Sequence, residues 1–173
     1  SGAGTATPTV DRGGTYVLTV TNPANGCTAS DAVSVTVDRV APVANPGPDK
    51  LLNCTITSVS LQGSSTTPGA TFQWSTVDGN IVSGANTASP VVNKPGRYTL
   101  VVTNPANGCT TTDSVLVNQD IALPVASAGA DRILTCAITS LPLQGSSTTP
   151  GAAFQWTTAN GNIVSGANSA APV

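Results

Sequence analysis

The sequence predicts an all-β fold built from a repeat of 82 residues. Three observations carry that expectation. Apolar residues fall at every second position in short runs. Turn residues interrupt those runs every 8 to 12 positions. Long identical stretches return at one fixed spacing. Period-2 alternation of β-branched and aromatic residues marks half-buried antiparallel strands, and a fixed long period marks an array of similar units.

The repeat is plain in the letters. Val20 to Thr28 (VTNPANGCT) returns unchanged as Val102 to Thr110, and Cys54 and Trp74 recur 82 residues later as Cys136 and Trp156. Tyr16 and Tyr98 keep the same spacing, as do LQGSSTTPGA at Leu61 and Leu143 and GNIVSGAN at Gly79 and Gly161. The chain of 173 residues holds two periods and nine further residues, and Ser165 to Val173 stands in phase with Ser1 to Thr9. It therefore opens and closes at one phase of the repeat, in mid-unit, and reads as a window from a longer, processed protein.

Individual strands follow in order. In Ser58 to Leu61, Val59 and Leu61 point one way; in Thr71 to Trp74, Phe72 and Trp74 do the same. Tyr98, Leu100 and Val102 repeat the alternation, as do Val115 and Val117. Phe72, Trp74, Tyr98 and Leu100 are the expected core. Gly63, Pro68-Gly69, Asp78-Gly79-Asn80, Pro95-Gly96 and Asn107-Gly108 supply turns. Asn-Gly brings positive φ angles and predicts a tight hairpin at each copy of NPANG. No segment carries a helical period.

Domain boundaries follow from two equivalent linkers, Asp38 to Ala44 and Asp120 to Ala126, each with a Pro that removes a donor and stiffens the connection. The expected organisation is the back part of one unit in residues 1–40, a complete unit in 41–122, and the front part of a third in 123–173.

Composition excludes several functions. Only 8% of residues are charged, the net charge is −2, and there is no His. A weak, even charge gives no electrostatic footprint for nucleic acid or an anionic membrane surface. Without His or Glu the usual acid–base, nucleophile and metal-ligand sets cannot be assembled, so no enzyme activity and no cofactor is expected. No apolar run reaches the roughly 20 residues that span a bilayer. Asp49, Asp78 and Asp131 near turns, with Asp38 and Asp120 at the linkers, are too sparse for the six to eight oxygens that calcium takes, so no metal site is expected. The four Cys come as one phase-locked pair per period, as disulfides do in exported modules; buried free thiols are the alternative reading.

Further along, the residues resemble a known family. Gly96-Arg97-Tyr98, after Asn93-Lys94-Pro95, looks like the tyrosine corner at the start of strand F in immunoglobulin-like sandwiches, and Phe72-Gln73-Trp74 like their strand C. The order PGPDK, LNC, SVSLQGSS, FQW, GRYTLVVTNPANGC, DSVLV is similar to the PKD-like and immunoglobulin-like repeats of large Bacteroidota surface proteins, including gliding-type adhesins exported by type IX secretion. The resemblance implies tandem β-sandwiches strung head to tail, at the cell surface.

Beside that resemblance, Cys54 before strand B and Cys109 after strand F are expected to pair within one unit, leaving Cys27 and Cys136 with partners outside the window. Such a bond closes a loop of 55 residues, which the chain-entropy model values at roughly 4 kcal/mol. The competing scheme joins Cys27 to Cys54 and Cys109 to Cys136. Asp113-Ser114-Val115 resembles the short O-glycosylation motif of exported Bacteroidota proteins, with Ser114 as acceptor, and Asn53-Cys54-Thr55 matches the N-glycosylation pattern.

The function expected from all this is a structural or adhesive stalk of a long extracellular repeat protein. Its partners would be neighbouring copies of the repeat and host-surface or glycan ligands, with no nucleic acid and no membrane insertion. Two alternatives stand beside it: a spacer or carbohydrate-binding module of a large secreted enzyme, and a fibre of short subunits joined by strand complementation.

Overall fold

A computed structural model describes residues 6–173. The first five residues of the 1–40 segment lie outside the described residues. Contacts divide the chain into two compact units, Ser1–Asp120 and Ile121–Val173.

The described residues form nine strands and no helix: β1 (Gly14–Thr21), β2 (Thr28–Val35), β3 (Lys50–Asn53), β4 (Val59–Ser60), β5 (Thr71–Thr76), β6 (Ile81–Ser83), β7 (Val91–Val92), β8 (Gly96–Thr103) and β9 (Thr110–Asp120). The fold is all-β. Strands β1 and β2 make an antiparallel hairpin in which Thr21 faces Thr28 and Gly14 faces Val35.

Residues 45–120 form a sandwich. One sheet runs β3-β9-β8-β5, the other β4-β7-β6. All pairs are antiparallel except β3 with β9, which run parallel with Asn53 opposite Asp120. This is the arrangement of an immunoglobulin-like domain, whose first strand crosses to lie beside its last.

The core is what the alternation dictates. Tyr98, Leu100 and Val102 on β8, Val115 and Val117 on β9, Trp74 on β5 and Leu52 on β3 meet Leu61 and Val92 from the facing sheet, all fully or almost fully buried. Phe72 and Val59 are half-buried at its margin. The tyrosine corner is formed: the Tyr98 hydroxyl donates to the Lys94 carbonyl at 2.7 Å and accepts from Asn80 N at 2.9 Å. The ring packs so tightly against Gly79 that a Cβ there would strike its hydroxyl end. Trp74 donates its indole N–H to the Thr87 carbonyl at 3.0 Å.

The same contacts recur where the sequence recurs. Trp156 donates to Ser169 O at 2.9 Å, Leu143 N to Pro172 O at 2.9 Å, and Gly145 N to Ala170 O at 2.7 Å, mirroring Trp74–Thr87, Leu61–Pro90 and Gly63–Ala88. The bridge Asn45↔Ser64 likewise returns as Ser127↔Ser146. Tyr16 donates to Arg12 O at 2.7 Å, as Tyr98 does to Lys94. The apolar faces differ in cover: Leu100 is 0% exposed and its equivalent Leu18 is 56% exposed.

One expectation about the turns is corrected. Thr103 pairs with Thr110, so residues 104–109 form a six-residue loop rather than a tight Asn-Gly turn. Within this loop Gly108 alone has a positive φ, +73°, and among the described residues no non-glycine residue does. Both central residues of a two-residue type I′ turn need φ > 0. Here Pro105 holds φ negative, and the loop closes instead through Gly108 N to Asn104 O and Asn104 N to Cys109 O, both 2.8 Å.

Candidate functional site

The position with the most specific polar geometry is where Asp38 and Val40 of the linker meet the 104–109 loop. It is built from two asparagines at fixed spacing. The Asn104 side-chain oxygen accepts Ala106 N at 3.0 Å, and that of Asn107 accepts Cys109 N at 2.9 Å. Asn readily makes such a bond to the backbone two residues on, which explains its place in this loop. With each oxygen spent on its own loop, each amide NH₂ is turned outward.

Both amides converge on one atom. Asn107 Nδ2 donates to Val40 O at 3.0 Å, and Asn104 Nδ2 donates to the same oxygen at 3.4 Å. A carbonyl oxygen has two lone pairs and accepts both. Asn104 is the buried polar residue of the sandwich, and among the described residues no buried side-chain polar atom lacks a partner. The linker contributes a second group. Asp38 folds its carboxylate onto Val40 N at 3.0 Å, and Asn107 also reaches it. The backbone N–H of Val40, and then the Asn107 amide, hold the Asp38 carboxyl below its ordinary pKa. Two asparagines, one carboxylate and one carbonyl thus pin an otherwise exposed linker. The matching loop 22–27 has the same internal bonds, Gly26 N to Asn22 O at 2.8 Å and Cys27 N to the Asn25 oxygen at 3.0 Å.

The expected Cys54–Cys109 bond is not formed. All four thiols are free, with Cys27, Cys54 and Cys136 exposed and Cys109 half-buried. The cause is the parallel register. Cys54 follows Asn53, which lies opposite Asp120 at the end of β9, whereas Cys109 precedes the first residue of that strand. Eleven residues of β9 separate the two levels, about 35 Å at the usual strand rise, against a Cα separation of about 4.4–6.8 Å in a disulfide. Neither Cys54–Cys109 nor the scheme Cys27–Cys54 with Cys109–Cys136 is formed.

The other singled-out residues have structural partners. Ser114 is half-buried and accepts from Arg97 Nη1 at 2.8 Å; Ala32 stands at the equivalent position of the other copy. The Asn53 side-chain oxygen accepts from Thr55 N, Thr55 Oγ1 and Ile56 N at 2.7–2.9 Å, closing the turn after β3. Asp49 accepts from Leu116 N at 2.9 Å and Asp78 from Arg97 N at 3.1 Å, so both carboxylates fasten strands together. Among the described residues no group of three His, Cys, Asp or Glu is placed to hold a metal, and no helix is long and apolar enough to cross a membrane. In residues 121–173 a hollow of about 500 Å³ is lined by Pro124, Phe154 and Trp156.

Comparison with known proteins finds a partial likeness. The mouse Dyslexia-associated protein KIAA0319-like protein is 30% identical to this chain over 152 residues, covering 78% of the chain and 14% of that protein. The chain thus spans about one seventh of that relative's length. No family model matches it. The pinned linker was hidden from sequence reasoning because Val40 and Asn107 lie 67 residues apart. The repeated Asn-x-x-Asn was its only signal, and turn chemistry explains that pattern equally well.

Proposed function

We propose that this chain is a segment of an extracellular structural or adhesive stalk made of tandem immunoglobulin-like, PKD-like sandwiches, and that it has no catalytic role. The observation that carries the reading is the clamp of Asn104 and Asn107 on the carbonyl of Val40. A freely jointed string would leave its linkers in water. Here the hairpin of one sandwich grips the segment that arrives from the preceding residues, which fixes direction at the joint. Rigid joints turn repetition into length, and length presents many copies of any weak contact at once.

The ligands on this reading are host-surface groups or glycans, met by the faces and loops of successive repeats, and the site of action is the cell surface. A sugar-stacking platform has less support. Trp74 and Tyr98 are committed to the core and Phe72 to its margin.

Solution scattering on chains lengthened by whole 82-residue periods tests the proposal. The maximum dimension is expected to grow by a constant increment per period. Growth as the square root of period number, the behaviour of a flexible chain, would overturn it.

A further inference from the structure

We propose that the two thiols of each period join consecutive repeats: the cysteine in the phase of Cys54 bonds to the cysteine in the phase of Cys109 of the next repeat. This rests on the tandem-repeat reading above.

The placement of the thiols within one sandwich carries the argument. Cys54 stands level with the residue after Asp120, where β9 ends and the chain leaves. Cys109 stands at the other end of β9, in the loop that grips the incoming linker. One thiol is therefore at the exit and the other at the entrance. They cannot meet within a sandwich, but every junction between repeats brings an exit and an entrance together.

The linker clamp fixes how close. Asp38, Arg39 and Val40 are in the phase of Asp120, Ile121 and Ala122. A cysteine in the phase of Cys54 in the preceding repeat stands level with Arg39. The next residue, Val40, has its carbonyl held at 3.0 Å by Asn107, and Asn107 holds Cys109 N at 2.9 Å. The clamp thus draws both thiols to one joint. Cys54 is exposed and Cys109 half-buried, so both are open to exchange. The partner of Cys109 falls before Ser1 and that of Cys54 after Val173, so neither bond can form inside these 173 residues.

The oxidant is a small-molecule disulfide. The thiolate of one cysteine attacks a sulfur of the oxidant, forming a mixed disulfide and expelling one thiolate. The second cysteine thiolate attacks the protein sulfur of that mixed disulfide and expels the other. Two electrons pass to the oxidant, which leaves as two thiols carrying the two protons that the cysteines lose.

The test uses the full chain followed by a second copy of its own residues 92–122, which completes the second repeat and adds one cysteine in the phase of Cys109. After equilibration with oxidised glutathione, non-reducing peptide mapping should find Cys54 bonded to the added cysteine, with Cys27, Cys109 and Cys136 free. In C54S the added cysteine should be free. Protection of the Trp156 indole N–H, matching that of Trp74, reports that the second repeat has folded. A free added cysteine in a chain with that protection, or its bonding to Cys136, overturns the disulfide alone. A chain without that protection overturns the repeat reading as well.

Discussion

The side-chain amide of Asn107 donates to the carbonyl of Val40 at 3.0 Å across 67 residues of sequence. That bond ties the linker to the loop between β8 and β9, and its companion from Asn104 reaches the same oxygen. Asn104 and Asn107 do different work there. Asn104 is buried and also organises its own loop, whereas Asn107 lies nearer solvent.

Removing the outer amide should loosen the joint without unfolding the sandwich. In Asn107→Ala the backbone of residues 38–42 is expected to gain fast motion, read as lower order parameters by nuclear magnetic relaxation. Asn104→Ala should lower global stability by about 1–3 kcal/mol, since a buried side chain is lost and the Ala106 N–H that it held in the loop loses its acceptor. Unchanged order parameters in Asn107→Ala would show that the clamp does not restrain the linker.

Acid should release the same joint. The Asp38 carboxyl has a depressed pKa in the folded chain, so its contribution is present above the ordinary Asp range near about 3.9 and is lost as pH falls through the lower folded value. The side-chain amide resonances of Asn107 should shift on acidification with a midpoint below that of an ordinary Asp. Asp38→Asn should abolish the shift.

The tyrosine corner should outweigh its exposed counterpart. Tyr98→Phe removes the hydroxyl of a fully buried ring, bonded to Lys94 O and Asn80 N, and should cost about 1–3 kcal/mol in denaturant unfolding. Tyr16→Phe removes a similar bond to Arg12 at a half-exposed site and should cost well under half as much. Equal losses would mean that burial does not set the difference.

Crowding at the corner gives an independent check. Gly79→Ala places a methyl against the end of the Tyr98 ring, and overpacking of this kind costs about 1–3 kcal/mol. Combined with Tyr98→Phe, the two losses should fall short of additivity, because the smaller ring relieves the clash.

Reduction should leave the melting temperature of this chain unchanged, since its thiols are free. Alkylation of the native protein should label Cys27, Cys54 and Cys136 faster than the half-buried Cys109. A sharp fall in melting temperature on reduction would restore an intrachain bond.

What the sequence determined by itself was local and periodic. Alternation at Tyr98, Leu100 and Val102 put those side chains on one face because successive residues of a strand point to opposite sides. Gly96-Arg97-Tyr98 carried the corner, since a Tyr at that step reaches a carbonyl four residues back. What only the tertiary structure decided was pairing across distance. The choice of β9 as the parallel neighbour of β3 set Cys54 and Cys109 at opposite ends, and no local pattern encodes a register between residues so far apart. The role of NPANG was settled the same way. Its asparagines look like turn formers in sequence, and their free amides acquire a purpose once the fold carries Val40 to them.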